Sequence, residues 1–476
     1  MREMEAQAKL PLKVKVCYAA GHFANMVLML VNAVFLLYFY TDVIGISPAA
    51  AAVIIMIARI WDAVNDPMMG ILVDKKKSKQ GKCRFFLRWF SVPAGICFAL
   101  SYFVPNLMGP AKIVWIAVTY ILQGMGSTAV SVPLFTLMAR LTNDQVERAK
   151  LGQYQSFSAI IANLLIPAVT LPFVKVVGQG NLRLGFQIVS IIYGAAIAIG
   201  YLATWWGTKG CEQQDELDEP QPQAVEAVEA SAQKEKAGVR DILSALFHNK
   251  VCLLVAACYL MYCIYSTLMG SSLVYYLTYN LHNVNLMSAY SVLSTVTGFA
   301  PILLMVAMVK KMGNARTTML ACLIVVIGQC VRFISHDSFI GCLYFGWCME
   351  GVGVALFGSM IRQCMIDSMV YGEWKTGVSN QAILMSILSF AQKAGQAVGG
   401  VGAAALLGVF GYVANAQEQS QTVLNVFFTE NVTLPMITFL ISIGLLSIVY
   451  KYEKKIPQMK EEIAERNILV PEGEQA

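Results

Sequence analysis

The sequence predicts an all-α membrane protein with twelve transmembrane helices in two six-helix bundles. Three observations predict it. The 476 residues are 57% hydrophobic and 13% charged, with mean hydropathy +0.59, far too apolar for a soluble domain. Apolar runs of about 20 residues, the length that spans a bilayer, recur along the whole chain. Lys and Arg gather in every second connection between them, as the positive-inside rule requires.

Taken in order, the runs fall near residues 17–40, 48–73, 87–106, 111–140, 150–176, 184–206, 249–279, 286–309, 316–334, 339–364, 379–411 and 428–450. The charged leader MREMEAQAKLPLKVK enters the first run without a small-residue cleavage site and reads as part of a retained helix. The basic connections hold Lys9, Lys13 and Lys15, then Lys75 to Lys82 and Arg84, then Arg140 and Arg148, the 207–247 segment, Lys310, Lys311 and Arg316, Lys375, and a tail with Lys451, Lys454 and Lys455. The others, among them TDVIGIS, NLMGPAK, NLHNVNL, SHDS and the 412–427 loop, are nearly without Lys or Arg. Both termini are therefore expected in the cytoplasm, the protein being multi-pass in the plasma (inner) membrane.

The segment 207–247, rich in Glu, Gln and Ala with two prolines, reads as a cytoplasmic linker. It divides the chain into a bundle over 1–206, a bundle over 248–450 and a tail over 451–476, the plan of a transporter made of two parallel halves. The net charge of +6 lies mostly in loops and tails, so no nucleic-acid partner is implied. Twelve cysteines, including Cys97, Cys258, Cys322 and Cys348, are scattered singly and read as small packing residues.

The stretch ARIWDAVNDPMMGILVDKKKSKQGKCRFF, residues 58–86, carries the most chemistry. Arg59, Asp62, Asn65 and Asp66 share one helical face at membrane depth, where ionisable groups mark function. Two carboxylates one turn apart in low dielectric need a cation between them or a proton on one. The face is thus a candidate site for a monovalent cation, Asp62 and Asp66 being the metal ligands. Pro67 cannot bond the carbonyl of Ala63, which leaves a further hard oxygen. The plain alternative is an Arg59–Asp62 ion pair that only satisfies a buried charge.

RIWDAVNDPMMG followed by GKCR resembles the helix-two signature of the glycoside-pentoside-hexuronide:cation symporters, the melibiose permease group of the major facilitator superfamily. YFYTDVIGIS, VPLFTLMARLTNDQVER, DSMVYGEWKTG and QKAGQAVGG match in register, so the resemblance covers residues 18–416. It implies the major facilitator fold and a cation site of Asp62, Asn65, Asp66 and a helix-four hydroxyl at Thr128. It also implies Lys393 of helix eleven as a coupling residue beside Arg59, a Lys able to pair with the helix-two carboxylates when no cation is bound. The galactoside-binding set is absent: Met26 and Ser131 stand at the sugar carboxylates, Ser156 and Gly358 at the substrate-side Arg and Trp. Melibiose is therefore not the expected substrate, whereas hexuronides, pentosides and other glycosides remain.

Candidate substrate-binding residues are Asn25, Ser131, Glu350 and Lys393. Asn25, Asn32 and Glu350 suit sugar hydroxyls, and interhelical hydrogen bonding explains each equally. His22 fits a packing role better than a proton relay. Tyr275 and Tyr276 fit an interfacial aromatic belt better than sugar stacking. Asp74, Arg84, Arg140, Arg148, Asp367 and Glu373 are candidates for an inner gate of opposite charges, the plain alternative being a solvated collar.

The function expected is secondary active symport of a sugar-like solute with Na+, or with H+ or Li+, by alternating access and without covalent chemistry or cofactor. No GxxxxGK[ST] loop marks an ATP-driven pump. Two other classes remain: a carrier of an amphipathic or lysolipid-like substrate, and a membrane protein that binds a solute without moving it.

Overall fold

The computed structural model describes residues 10–76, 78, 81–142, 145–212, 249–376, 381–414, 416–456, 458–459 and 461–463. The Pro-containing linker lies outside them, apart from its first residues. The helices are α1 (Leu12–Val43), α2 (Pro48–Lys75), α3 (Lys82–Tyr102), α4 (Pro110–Leu141), α5 (Gln145–Val177), α6 (Leu182–Gly207), α7 (Lys250–Asn280), α8 (Leu286–Met312), α9 (Asn314–Ser335), α10 (Ile340–Thr376), α11 (Gln381–Val409) and α12 (Gln421–Glu453). There is no strand among the described residues. Ten of these helices are long and apolar enough to cross a bilayer.

Local chemistry sets the helix starts. Ser47 precedes Pro48 and its hydroxyl accepts the Ala50 amide at 3.2 Å, while Asn181 caps α6 through the Leu184 amide at 3.2 Å. Several helices run past their expected bounds, α1 and α5 by five residues at their starts. α3 begins at Lys82, α10 continues to Thr376 through DSMVYGEWKT, and α12 begins at Gln421 inside the expected 412–427 loop. Apolarity marks only the hydrocarbon depth, and a helix has no reason to stop where the headgroups begin. α1, α7 and α12 each contain one wide π turn, at Phe39–Val43, Tyr276–Asn280 and Thr429–Thr433.

The chain forms two compact units. The first holds α1 to α6 together with α7 from Gly270, the start of α8 to Ser291, and the chain from Gly400 to Leu424. Small residues bring its helices close: Gly95 of α3 faces the Gly194 backbone of α6, and Gly200 of α6 faces Ala20 and Ala24 of α1. The second holds the rest of α7, α8 and α11 with α9, α10 and α12. There Gly328 packs on Gly346 and Met349, and Gly353 on Ala321 and Val325, joining α9 to α10. Trp347 and Arg332 are among its fully buried side chains. All twelve cysteines are unpaired thiols, eight of them buried or partly buried in the second unit's helices α7, α9 and α10.

Candidate functional site

α2 and α4 bring the expected cation-site residues together in the first unit. Asp66 Oδ1 accepts the Thr128 hydroxyl at 2.9 Å, and Thr128 is 5% exposed. Asp62 lies against Gly124, where a methyl carbon would come within 2.8 Å of its Oδ1. Arg59 Nη1 stands 3.6 Å from Asp62 Oδ2, each side chain about one third exposed at 35% and 30%. Asn65 Nδ2 is buried without a hydrogen-bond partner. Carboxylate, hydroxyl and amide oxygens are the donor chemistry that hard monovalent cations take. Gly124, one turn before Thr128, is a member that sequence reading missed; only its lack of a side chain makes room for Asp62.

The candidate substrate residues part company. Asn25 is buried, with Oδ1 accepting the Tyr201 hydroxyl at 3.1 Å, and Asn32 accepts from Tyr102 at 3.1 Å, so both tie helices of the first unit together. Glu350 is 2% exposed and accepts from Tyr265 at 2.7 Å and from Gln329 at 3.1 Å. Gln329 in turn accepts from Arg332, which is bonded to both Asp337 oxygens and to the Asn431 carbonyl. Glu350 is thus the inner end of a continuous polar chain in the second unit. Ser131 is half-buried and Lys393 is exposed on α11. Nothing fills the space beside Gly358.

Tyr275 and Tyr276 correct the expectation of an interfacial belt, being 0% and 1% exposed. The Tyr275 hydroxyl pairs with Thr41 at 2.7 Å, and Thr41 donates to Asp42 at 2.7 Å. Asp42 also accepts from Tyr279 at 2.8 Å and from Tyr412. A buried carboxylate requires such donors. The π turns that aim Asp42 and Tyr279 inward leave no mark in apolar periodicity, which is why this cluster was not read beforehand. His22 is 1% exposed, ring against Tyr18 at 4.7 Å and Phe135 at 5.3 Å, with neither nitrogen hydrogen-bonded, as befits packing.

Of the candidate gate residues, Arg84 is 7% exposed and donates through Nε and Nη2 to the Trp205 carbonyl at 3.2 and 3.0 Å, anchoring α3 to α6. Arg148 donates to the Thr142 carbonyl at 3.0 Å, Asp367 accepts from Asn314 at 2.8 Å, and Arg140 is half-buried. The side chains of Asp74 and Glu373 lie outside the described residues. Three carboxylates not expected here also make contacts near the candidate gate residues. Glu147 bridges Lys15 and Lys150, each at 2.7 Å. Glu212 accepts the amides of Cys83 and Arg84 at 2.8 and 3.1 Å, and Glu453 does the same for Asn314 and Ala315. Each pair of amides follows a glycine in the left-handed region, Gly81 at φ 96° and Gly313 at φ 84°. The likeness between GKCR and GNAR along the sequence is thus a likeness of capping.

The family model described as MFS/sugar transport protein matches residues 17–454. The chain belongs to that family. This MFS transporter is a multi-pass membrane protein and not an enzyme. It is 27% identical over 461 residues to the isoprimeverose transporter of Lactiplantibacillus pentosus, covering 96% of this chain and 92% of that one. It is 34% identical over 192 residues, 40% of each chain, to the putative glycoside/cation symporter YagG of Escherichia coli (strain K12). Among solved structures it resembles the nucleoside transporter NupG, with TM-score 0.55 at 14% identity over 92% of this chain and 98% of that one. A bacterial homologue of the iron transporter ferroportin gives TM-score 0.63 at 10% identity over 94% and 99%, a likeness of fold alone.

Proposed function

We propose that this MFS transporter is a cation-coupled symporter of a sugar-like solute. One observation carries the reading: the Thr128 hydroxyl reaches across from α4 to Asp66, which helical spacing sets on the same face of α2 as Asp62 and Asn65. A cation there removes the repulsion between the two carboxylates, and whatever ordering it brings to α2 lowers the cost of binding solute. Arg59 holds Asp62 when the site is empty, and Lys393 supplies a second coupling charge from α11. The relatives named for isoprimeverose transport and glycoside/cation symport support a glycoside as cargo. Na+ is the coupling ion proposed, with H+ and Li+ as the competing choices.

The same reading takes the chain twelve times across the plasma membrane, six helices on either side of the 207–247 linker, with both ends in the cytoplasm and alternating access about a midplane site.

The test is the melting temperature of the purified protein against Na+, Li+ and pH, with and without a glycoside panel, beside Asp66→Asn. A ligand that binds only the folded state raises it. Stabilisation by Na+ that Asp66→Asn abolishes, enlarged by one glycoside, is the expected result. A sugar response that follows pH and ignores Na+ transfers the coupling to H+. Silence towards every glycoside, with a response to lysolipids, overturns the sugar reading.

A further inference from the structure

The end of the first unit where α1 and α3 begin and α6 finishes carries two cations, Lys13 and Arg88, that neither the α2–α4 site nor the helix caps use. α6 packs on both neighbours, Gly207 against Cys17 of α1 and Gly194 against Gly95 of α3. Its last turn carries Trp205 and Trp206. Lys13 Nζ lies 3.5 Å from the centroid of the Trp206 ring, and the Arg88 guanidinium lies over Trp205 at 5.2 Å and over Trp89 at 5.4 Å. Lys13, Arg88, Trp89 and Trp206 are all exposed. Cations from two helices therefore flank one turn of a third.

Arg84 shows what a structural cation does at this end. It is 7% exposed and gives its guanidinium to the Trp205 carbonyl, while Glu212, also 7% exposed, accepts the amides of Cys83 and Arg84. Lys13 and Arg88 instead keep their charges at the surface, held over ring faces, which fixes a cation without neutralising it. The Trp205 ring also holds a buried Nε1 with no hydrogen-bond partner, a donor that an incoming oxygen would satisfy. Tryptophan at the end of a membrane-crossing helix marks the headgroup level of the bilayer. Behind the charges, apolar stripes run into the span. Val92 and Ile96 follow Arg88 at four-residue steps on α3, and Ile199 precedes Trp206 by two turns on α6, at 47%, 54% and 66% exposed. An anion held at the charged end, with hydrocarbon laid along the stripes, has the shape of a phospholipid.

We propose that this end of the first unit is a binding site for an anionic phospholipid. Arg88 grips the phosphate, its planar fork matching two phosphate oxygens, and Lys13 adds a second charge from α1. The acyl chains lie along the exposed stripes of α3 and α6. Two cations in fixed positions select a headgroup of net negative charge over a zwitterionic one, whose own ammonium would meet them. The bound lipid ties α1, α3 and α6 together at their ends and so stabilises the first unit. None of this depends on which solute is carried.

Purified full-length protein in a neutral detergent is titrated with phosphatidylglycerol and with phosphatidylcholine of the same acyl chains. Retained lipid is read by native mass spectrometry, and stability by melting temperature. Phosphatidylglycerol is expected to bind about 10- to 30-fold more tightly, the worth of two cations beside a charged headgroup, and to raise the melting temperature. Lys13→Gln/Arg88→Gln should lose both effects, whereas Lys310→Gln/Lys311→Gln, the same change of net charge placed in the second unit, should keep them. Arg88→Lys, which holds the charge and gives up the fork, should retain part of the preference, and it serves where the double variant does not fold. Equal binding of the two lipids by the native protein overturns the proposal. So does a preference that survives Lys13→Gln/Arg88→Gln, is undiminished in Arg88→Lys, or falls as far in Lys310→Gln/Lys311→Gln, which would make it a general attraction between a basic protein and an anionic surface. Inorganic phosphate that displaces phosphatidylglycerol and raises the melting temperature by itself overturns it too, the ligand then being a free anion.

Discussion

Tyr279 donates its hydroxyl proton to the Asp42 carboxylate across 2.8 Å, joining a π turn at the end of α7 to one at the end of α1. Tyr412 and Thr41 donate to the same group. Removing one donor leaves a buried carboxylate with fewer partners, so Tyr279→Phe and Tyr412→Phe should each lower stability by about 1–2 kcal/mol. Asp42→Ala strands several hydroxyls at once and should cost about 3 kcal/mol or more, and the double variant Tyr279→Phe/Tyr412→Phe should depart from additivity because the two share one acceptor. Denaturant unfolding of the purified protein measures all four; strict additivity would show that the cluster does not act as one network.

Thr128→Ala removes a hydroxyl from Asp66 while leaving both carboxylates in place. Apparent Na+ affinity, read from melting temperature against Na+ concentration, should fall by about tenfold, the worth of one hydrogen bond to a charged group. Unchanged Na+ affinity would remove Thr128 from the site.

Gly124→Ala tests the same site sterically. The added methyl would stand 2.8 Å from Asp62 Oδ1, so the carboxylate must turn away. Cation response should weaken while the fold persists, since α4 tolerates alanine well. A variant with native cation response would show that Asp62 is not a ligand.

Hydrogen bonds from Lys15 and Lys150 hold the Glu147 carboxyl down at about 2, below its ordinary 4.5. The sign follows directly: the folded protein holds the group ionised, so its contribution is fully present above about pH 4.5 and is lost as the pH falls towards 2. The stability difference between the native protein and Glu147→Gln should therefore be constant from pH 7 to about pH 5 and shrink below that. A difference that grows on acidification would contradict the depressed carboxyl.

Much of the fold was legible because the bilayer imposes its own length on every span. Most expected boundaries near α2, α4, α6 and α9 fall within two or three residues of the observed ones. The misses lie where hydropathy stops informing: Lys82 to Arg84, Asp367 to Thr376 and Gln421 to Phe427 are helical but not uniformly apolar. The helix-two face was legible for the opposite reason, since Asp62 and Asp66 interrupt an apolar run and spacing alone places them together. Gly124 and the Asp42 tyrosines were not, because a missing side chain and a π turn carry no periodic signal.

The two glutamate caps bear on how the chain is made. Glu212 lies more than a hundred residues after the amides of Cys83 and Arg84 that it accepts, and Glu453 as far after those of Asn314 and Ala315, at separations of 129 and 139 for the longer pairs. α3 and α9 therefore leave the ribosome with exposed amides at their first turns, and neither can be closed until α6 or α12 has followed. Each glutamate closes a helix start made more than a hundred residues before it. A nascent protein halted before Glu453 would hold a finished first cap and an unfinished second.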